Sequence, residues 1–254
     1  MKKIVIKVGS HVISDDGKIS LSRVDSLCDL LCELRCKYEV ILVSSAAIAC
    51  GQSQINLERN SVLNKQILAA IGQPHLMQVY KNSLSRYKVL GAQLLLNASD
   101  FDSRKRTNYA KNVVLGLLKL GVLPIINEND ATATAEIVYG DNDRLSAAAA
   151  LHFDADMLVM LSDIDGYYDS DPRTNANAKI RALVSSVSDE EIESNTSQVG
   201  SKHGTGGIAT KLIAAKMLLS DNKSVFLTSG FDLSVAREFL LNNNQKSGTL
   251  FKAD

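Results

Sequence analysis

The chain has 254 residues, of which 45% are hydrophobic, so it is long enough to bury the core of a large α/β domain. Lysine and arginine number 28, and aspartate and glutamate also number 28, which leaves no positive excess for nonspecific binding to nucleic acid. Tryptophan is absent and aromatic residues make up 5%, which argues against a surface that stacks on bases. We therefore expect no nucleic-acid partner.

We expect neither an export signal nor a membrane span in this sequence. It begins MKKIVIKVGS, but Lys7 interrupts the apolar run that a signal peptide would need. The longest uncharged run, 40–57, contains Ser, Gln and Asn and is too polar to cross a membrane. Cys28, Cys32 and Cys36 recur every four residues beside leucines, which favours buried structural cysteines in a reducing compartment over a metal site. We expect a soluble, cytoplasmic protein with no membrane partner.

Short apolar runs alternate with longer segments of helical periodicity along the chain. In chain order, strands are predicted at KIVIKVG, YEVILVS, GAQLLLN, GVLPIINE and DMLVMLSD. The spacing of Ser22 with Asp25, and of Ser188 with Glu191, matches the capping box that begins many helices. This alternation predicts an α/β fold in which a parallel sheet is covered by helices on both faces.

Polar residues follow four of the predicted strands at the point where each strand ends. These clusters are Lys7 to Ser10, Ser44 to Ala47, Asn127 to Asp130, and Ser162 with Asp163. Because ligands of open α/β sheets bind beyond the carboxyl ends of the strands, we expect the clusters to converge on one site. A lysine beside a glycine that admits close backbone approach is suited to contacting a phosphate.

The segment GDNDRLSAAAA begins a predicted helix with Asp141, Asn142 and Asp143. A purely structural explanation is strong, because Asp and Asn cap helices and acids suit the positive end of the helix dipole. Three such residues exceed what capping needs, and Asn127 and Asp130 add polar groups in the preceding loop. Together they are suited to binding an ammonium group or a hydroxylated ligand.

The segment LSDIDGYYDSDPR contains four acids within nine residues. Their spacing does not match an EF-hand loop, which argues against that kind of calcium site. Two interpretations remain open. The segment is either a solvated turn that ends at Asp171 and Pro172, or a polar hairpin over a nucleotide, on which Tyr167 or Tyr168 could stack.

The stretch GTGGIATK, residues 204–211, joins a glycine-rich loop to the start of a helix. It lacks the spacing of a Walker loop, and a polar run precedes it where a dinucleotide fold would have a buried strand. Free backbone N–H groups, a helix N-terminus and Lys211 nevertheless form an anion site. The alternative interpretation is a flexible surface loop in front of a helix.

The stretches KVGSHVI, VSSAAIACG, GQPHLMQVY, PIINENDATATAEIVYGDNDRLSAAAA, LSDIDGYYDSDPR and GTGGIATKLIAA, in this order, resemble the motifs of the amino acid kinase family. The resemblance runs from residue 4 to about residue 216. It implies a three-layer α/β/α sandwich with a mostly parallel central sheet of about eight strands. It also implies a single domain over residues 1–254, whose amino-terminal part mainly binds glutamate and whose part from about residue 155 mainly binds ATP.

By this resemblance, the chain uses ATP and Mg²⁺ to phosphorylate the side-chain carboxylate of L-glutamate, the first step toward proline. Lys7 and Lys211 would flank the transferred phosphoryl group, and Asp143 would hold both lysines in place. The residues implied to bind glutamate are Ser45, Ala46, Asn127, Asp130 and Asn142. Those implied to bind ATP are Lys7, Gly9, Ser162, Asp163, Thr205, Gly206, Gly207, Ile208, Ala209, Thr210 and Lys211. Mg²⁺ would be held mainly through the phosphates of ATP, with its protein ligands unknown.

The resemblance has two departures. The family usually has glycine at the position of Ala46, and many bacterial relatives carry a C-terminal PUA domain that residues 1–254 do not contain. We expect catalysis to be independent of that domain, because every motif lies upstream of its position.

Further partners and alternatives follow from the same resemblance. It implies feedback inhibition by L-proline, functional coupling to glutamyl phosphate reductase, and a homo-oligomer, either a dimer or a tetramer. Two alternatives remain. One is a family member with another substrate, namely N-acetylglutamate, aspartate or uridylate. The other is a non-catalytic sensor of an amino acid or a nucleotide, which could lose one of the two lysines without losing its pocket.

Overall fold

Eight strands form the central sheet of the computed structural model, which describes residues 1–15, 17–133, 142–197 and 207–253. The strands of this sheet are β1 (Lys2–Val8), β4 (Tyr38–Ser44), β5 (Gly91–Leu96), β6 (Leu123–Glu128), β7 (Met157–Ser162), β8 (Leu183–Val184), β9 (Ser224–Ser229) and β10 (Thr249–Phe251). A separate two-stranded hairpin contains β2 (Ser14–Asp15) and β3 (Lys18–Ile19). The order across the main sheet is β5-β6-β4-β1-β7-β9-β10-β8.

Every neighbouring pair in the main sheet is parallel except β9 with β10. This confirms the predicted mostly parallel sheet of about eight strands. Because β6, β4, β1 and β7 are consecutive neighbours, the four polar clusters that follow them lie along one edge of the sheet. Parallel pairing therefore accounts for the convergence that the sequence predicted.

Helices cover both faces of the sheet. The described helices are α1 (Ser10–Ile13), α2 (Leu21–Leu34), α3 (Ala47–Gln52), α4 (Val62–Ser85), α5 (Ala98–Phe101), α6 (Arg104–Lys119), α7 (Asp143–His152), α8 (Asp189–Ser197), α9 (Ile208–Leu219) and α10 (Leu233–Asn242). Within the described ranges, none of them combines the length and the apolar character that crossing a membrane requires.

Strand β1 shows how the two faces divide the core. Ile4 and Ile6 belong to the apolar cluster that contains buried residues of α2, α4 and α10. Val5 belongs to the opposite cluster, with buried residues of α6, α7 and α9. Since side chains alternate along a strand, Lys7 emerges on the same face as Val5, toward α7 and α9. The alternation thus decides which helices the buried lysine meets.

The two predicted helix starts had different outcomes. Ser188 and Glu191 form the expected capping box in front of α8, with both reciprocal hydrogen bonds at 3.1 Å. The other capping box was wrong, because α2 begins after Ser20 rather than after Ser22. Asp25 instead accepts a hydrogen bond from Ser83 Oγ at 2.6 Å, which ties α2 to α4.

The prediction of three buried cysteines is confirmed only for the first of them. Cys28 is buried, and this burial raises the pKa of its thiol to about 12. Cys32 is half-buried, and Cys36 is exposed because it lies beyond the end of α2 at Leu34. The four-residue spacing of the cysteines continues beyond the end of α2, so it does not place all three on one buried helix face.

Helices α3 and α4 cross so closely that two glycines are required at the contact. A Cβ atom on Gly72 would overlap the carbonyl oxygen of Ala47, and one on Gly51 would overlap the carbonyl oxygen of Leu68. Because α3 begins directly after Ala46, this crossing also fixes the loop that follows β4. The position of the loop after β4 therefore depends on the close backbone contact between α3 and α4.

We predict that Gly72→Ala lowers the free energy of unfolding by about 2–3 kcal/mol, because the added methyl group forces two helices apart. The control is Gly116→Ala in α6, where a Cβ atom has no described atom within 4 Å apart from its chain neighbours and the nearby backbone of its own helix. That change should raise stability by up to about 1 kcal/mol through helix propensity. Urea unfolding measures both, and equal stability of the two variants would contradict the close crossing.

Candidate active site

Two lysines and one carboxylate meet at the carboxyl edge of the sheet. Lys7 comes from β1, Asp143 is the first residue of α7, and Lys211 lies in the first turn of α9. The Nζ atom of Lys7 is 2.6 Å from Asp143 Oδ1, and the Nζ atom of Lys211 is 3.2 Å from Asp143 Oδ2. The lysines are 3% and 4% exposed and Asp143 is 0% exposed. All three charges are therefore removed from bulk water.

Two ammonium groups share the carboxylate of Asp143. Isolated buried charges are costly, and the contact with this carboxylate offsets part of that cost for both lysines. Asp143 also lies at the amino end of α7, where the helix dipole favours an anion. Two ammonium groups side by side at the edge of the sheet are suited to an anionic ligand such as a phosphoryl group.

A network of amide side chains lies beside the lysines. The Nδ2 group of Asn142 is 2.8 Å from the carbonyl oxygen of Ser44, 3.0 Å from Ser45 Oγ and 2.9 Å from Asn127 Oδ1. Asn127 in turn donates from Nδ2 to Gln73 Oε1 at 2.8 Å. The network connects the ends of β4 and β6 with α4 and with the start of α7. It places three residues of the predicted glutamate site, Ser45, Asn127 and Asn142, in direct contact.

A cavity of about 180 Å³ opens near this network, between α3, α4, β5 and the loop after β6. One water molecule occupies about 30 Å³ in the liquid, so the cavity has room for a small polar ligand. Glu128 and Asp130 lie in its lining, together with Gln73, Pro74 and Ala47. Two acidic residues in the lining are chemically suited to a ligand that carries a positive group.

The residues predicted to bind ATP lie at the ends of β1 and β7. The N–H of Gly9 donates to the carbonyl oxygen of Leu161 at 3.2 Å, which joins the two strand ends. Ser162 is buried, and its Oγ donates to Asp163 Oδ1 at 2.9 Å. Asp163 Oδ2 also lies 3.9 Å from the exposed imidazole of His11. These groups are neighbours of Lys7 along the same edge.

The glycine-rich stretch is described from Gly207 onward. Gly207 is the N-cap of α9, and Ile208, Ala209 and Thr210 form its first turn together with Lys211. Thr205 and Gly206, which were also predicted to bind ATP, lie outside the described residues. The described half of the stretch brings a helix start and a buried lysine to the carboxylate of Asp143.

One part of the hypothesis for the acidic segment was wrong. Tyr167 is 7% exposed, and its ring stacks on Phe251 with centroids 6.2 Å apart, while Arg181 lies 5.1 Å from the ring centroid. Its ring is therefore part of the core and is not available to stack on a base. Tyr168 donates a hydrogen bond to Asp165 at 2.8 Å and forms a bridge with Ile180, so the segment is a hairpin.

Sequence reasoning assigned no role to two buried residues of this region, Gln73 and Glu128. Gln73 is 8% exposed and Glu128 is 3% exposed. Gln73 comes from the middle of α4, 54 positions before its partner Asn127, so periodicity could not connect them. A signal was present in the GQPHLMQVY stretch, where a proline follows the glutamine inside a helix. Because proline is unfavourable in a helix interior, its presence indicated a structural or functional constraint on this part of α4.

Ala46 has a backbone conformation that explains the glycine usual at this position in the family. Its φ is 84° and its ψ is 13°, in the left-handed region that favours glycine. The residue is also 6% exposed and directly follows Ser45. A methyl side chain is therefore accommodated here at a cost in backbone strain.

Comparison with known proteins places these features in context. The model of the amino acid kinase family matches residues 2–229. A glutamate 5-kinase from Leishmania donovani is 49% identical over 251 residues, covering 99% of this chain and 95% of the relative. A glutamate 5-kinase from Wolinella succinogenes is 50% identical over 256 residues, covering 99% and 98%.

Two solved structures share the fold at low sequence identity. A UMP kinase from Ureaplasma parvum has a TM-score of 0.65 at 16% identity and covers 99% of this chain and 98% of its own. A carbamate kinase from Giardia lamblia bound to AMP-PNP has a TM-score of 0.65 at 16% identity, with 100% and 99% covered. These likenesses concern the architecture alone.

We predict that Ala46→Gly stabilises the protein by about 1 kcal/mol, because glycine adopts a positive φ without strain. Thermal unfolding should show a higher Tm, by roughly 2–4 °C for a domain of this size. Ala47→Gly is the control, since Ala47 is the first residue of α3 and has helical backbone geometry, so its replacement by glycine should lower the Tm. A lower Tm for Ala46→Gly would contradict the left-handed conformation.

Proposed function

The chain belongs to the amino acid kinase family, and on this premise we propose that it transfers the γ-phosphoryl group of ATP to the side-chain carboxylate of L-glutamate. The observation that carries the proposal is the shared carboxylate of Asp143, which holds Lys7 and Lys211 side by side next to a polar cavity. The product would be L-glutamyl 5-phosphate. The name of the relatives supports glutamate as the acceptor, and the first step of proline synthesis as the context.

The chemistry requires positioning and charge neutralisation rather than a general base. The acceptor carboxylate is already ionised at neutral pH, because its pKa in water is about 4.3. One of its oxygens attacks the γ-phosphorus in line, the bond to the β,γ-bridging oxygen breaks, and ADP leaves. Lys7 and Lys211 would stabilise the negative charge on the transferring group. Mg²⁺, held mainly through the phosphates of ATP, would supply further neutralisation.

The roles of the surrounding residues are part of the proposal. Asp130 would bind the α-ammonium group of glutamate, which suits the carboxyl groups that line the cavity. Ser45, Asn127 and Asn142 would donate hydrogen bonds to the carboxylates of glutamate. The contacts of Asn142 with the other two side chains hold all three in position for this role. Glutamate would thus lie between the cavity and the two lysines.

The nucleotide would extend in the other direction, over the ends of β1, β7 and α9. Gly9, Ser162, Asp163 and the stretch from Thr205 to Lys211 are proposed to contact it. The amino-terminal part of the chain, 1–155, would then mainly bind glutamate and the remainder mainly ATP. Lys7 and Asp143 come from the first part and Lys211 from the second, so the transfer would take place where the two parts meet.

We also propose inhibition by L-proline, functional coupling to glutamyl phosphate reductase, a cytoplasmic location and a homo-oligomer. One observation supports self-association. Leu63, Ile67 and Ile71 expose 63%, 39% and 38% of their surfaces along one face of α4, at four-residue spacing. Light scattering tests this point, since the mass of a single chain, 27.5 kDa, would contradict it.

Other substrates and a sensor role are weaker alternatives. The retained pair of lysines in contact with Asp143 favours catalysis over sensing, because a sensor needs no charge stabilisation of a transferring group. The names of the relatives favour glutamate over N-acetylglutamate, aspartate and uridylate. An acidic cavity also favours a free ammonium group over an acetylated one.

We predict that, with ATP and Mg²⁺, L-glutamate yields an acyl phosphate that hydroxylamine traps as its hydroxamate. Aspartate and N-acetylglutamate should give little product, because one is a methylene shorter and the other lacks the ammonium group. Millimolar L-proline should raise the glutamate concentration needed for half-maximal rate. Equal or faster turnover of N-acetylglutamate would contradict the substrate assignment, whereas insensitivity to proline would contradict only the regulatory part.

We further predict that Lys211→Ala and Asp130→Ala fail in different ways. Lys211→Ala should lower kcat by about 10²–10³-fold with a smaller change in KM for glutamate, because its charge matters most in the transition state. Asp130→Ala should mainly raise the KM for glutamate and leave that for ATP unchanged.

The matched control for the lysine is Lys216→Ala on the same helix. Lys216 forms a surface ion pair with Asp189 at 2.6 Å, whose loss should cost little stability and no activity. Steady-state kinetics in both substrates separates the cases. Unchanged kcat in Lys211→Ala, or loss of ATP binding in Asp130→Ala, would show that the roles are wrongly assigned.

A further inference from the structure

The hydroxyl of Thr210 lies between the start of α9 and the carboxylate of Asp143. Its Oγ1 atom is 2.9 Å from Asp143 Oδ2 and 2.8 Å from the carbonyl oxygen of Gly207. Both of these oxygens accept hydrogen bonds and neither can donate one. Since a hydroxyl has a single proton, Thr210 can fully donate to only one of them at a time.

The carboxylate is the better acceptor of the two. A hydrogen bond to an ionised group is roughly twice as strong as one between neutral groups. Gly207 is the N-cap of α9, and the carbonyl of an N-cap residue already accepts the first backbone hydrogen bond of its helix. The proton of Thr210 is therefore directed to Asp143.

This hydrogen bond acts on the oxygen that has the longer of the two lysine contacts. Asp143 Oδ2 accepts hydrogen bonds from Thr210 Oγ1 at 2.9 Å and from Lys211 Nζ at 3.2 Å, while Oδ1 lies 2.6 Å from Lys7 Nζ. A carboxylate can turn about its terminal bond, where the torsional preference is broad. Rotation of the carboxylate toward Lys7 would break the charge-assisted hydrogen bond that Thr210 donates to Oδ2.

We propose that Thr210 is a positioning residue, whose hydroxyl holds the Asp143 carboxylate in the orientation that presents both lysines to the transferred phosphoryl group. This inference rests on the proposed function and differs from it in one respect, since Thr210 then acts through Asp143 instead of binding ATP through its side chain. Contact between ATP and the backbone of the first turn of α9 stays part of the proposed function.

The test compares Thr210→Val, which keeps the shape and removes the hydroxyl, with Thr210→Ser, which keeps the hydroxyl. In Thr210→Val, kcat should fall by about 10- to 100-fold, because loosening of one lysine is felt mainly in the transition state. The KM values for glutamate and ATP should change less than about 3-fold, and so should the Kd for ADP measured by calorimetry. Thr210→Ser should retain kcat within about 3-fold of the unmodified protein.

Thr107→Val is the matched control. Thr107 is also buried near a helix start, and its Oγ1 contacts the carbonyl oxygens of Asp100 and Ser103 at 2.9 and 3.0 Å, away from the lysines. If Thr210 only supported its helix, both valine variants would lower the Tm by a few degrees and leave kcat unchanged. That result would overturn the proposal.

A double variant tests whether Thr210 acts through the lysine pair. Thr210→Val combined with Lys211→Ala should have the kcat of Lys211→Ala alone within about 3-fold, because the hydroxyl has then lost the contact it protects. Independent, multiplying losses would contradict the proposal, as would a tenfold rise in KM for ATP with unchanged kcat.

The two proposals fail in different ways. If the unmodified protein forms no hydroxamate from glutamate, the proposed function fails. The kcat values of the same variants are then compared with whichever of the alternative acceptors, N-acetylglutamate, aspartate or uridylate, is phosphorylated. If the unmodified protein is active and Thr210→Val is equally active, only the role of Thr210 fails.

Discussion

The structure depends on one buried carboxylate, Asp143, that two lysines share. Lys7 and Lys211 are separated by most of the chain, and neither could remain charged in so enclosed a position without a negative partner. Removing the carboxylate would leave two buried cations, which is the costly outcome for a buried ion pair. The same arrangement concentrates two ammonium groups at one place, which is costly for folding and favourable for binding an anion. Anion binding and folding therefore place opposing demands on these three side chains.

The sheet order meets these demands by placing β1 near the middle. Its neighbours β4 and β7 are both parallel to it, so the loops after all three strands reach one edge. The alternation of side chains then turns Lys7 toward α7 and α9. On the opposite face, the crossing of α3 with α4 at Gly51 and Gly72 fixes the loop after β4. A catalytic arrangement on one face is thus supported by backbone packing on the other.

Much of this arrangement could be predicted from the sequence, because it follows from local patterns. A lysine beside a glycine at the end of an apolar strand, and a run of Asp and Asn at a helix start, both indicated polar groups suited to binding a ligand. The short strands β8 and β10 gave no such pattern, since they have two and three residues. Gln73 was missed because its partner is distant in sequence. Tyr167 was misjudged because aromatic character does not tell whether a ring faces the core or a ligand.

The shared carboxylate also links the two parts of the site energetically. Asp143 Oδ1 contacts the ammonium group of Lys7 from β1, and Oδ2 contacts that of Lys211 from α9. Any ligand that draws one ammonium group toward itself changes how the carboxylate is compensated and, through it, the environment of the other lysine. Coupling of this kind is reciprocal, so a bound nucleotide must affect the binding of the acceptor as much as the acceptor affects that of the nucleotide. The two lysines are therefore better regarded as one electrostatic unit than as two independent contacts.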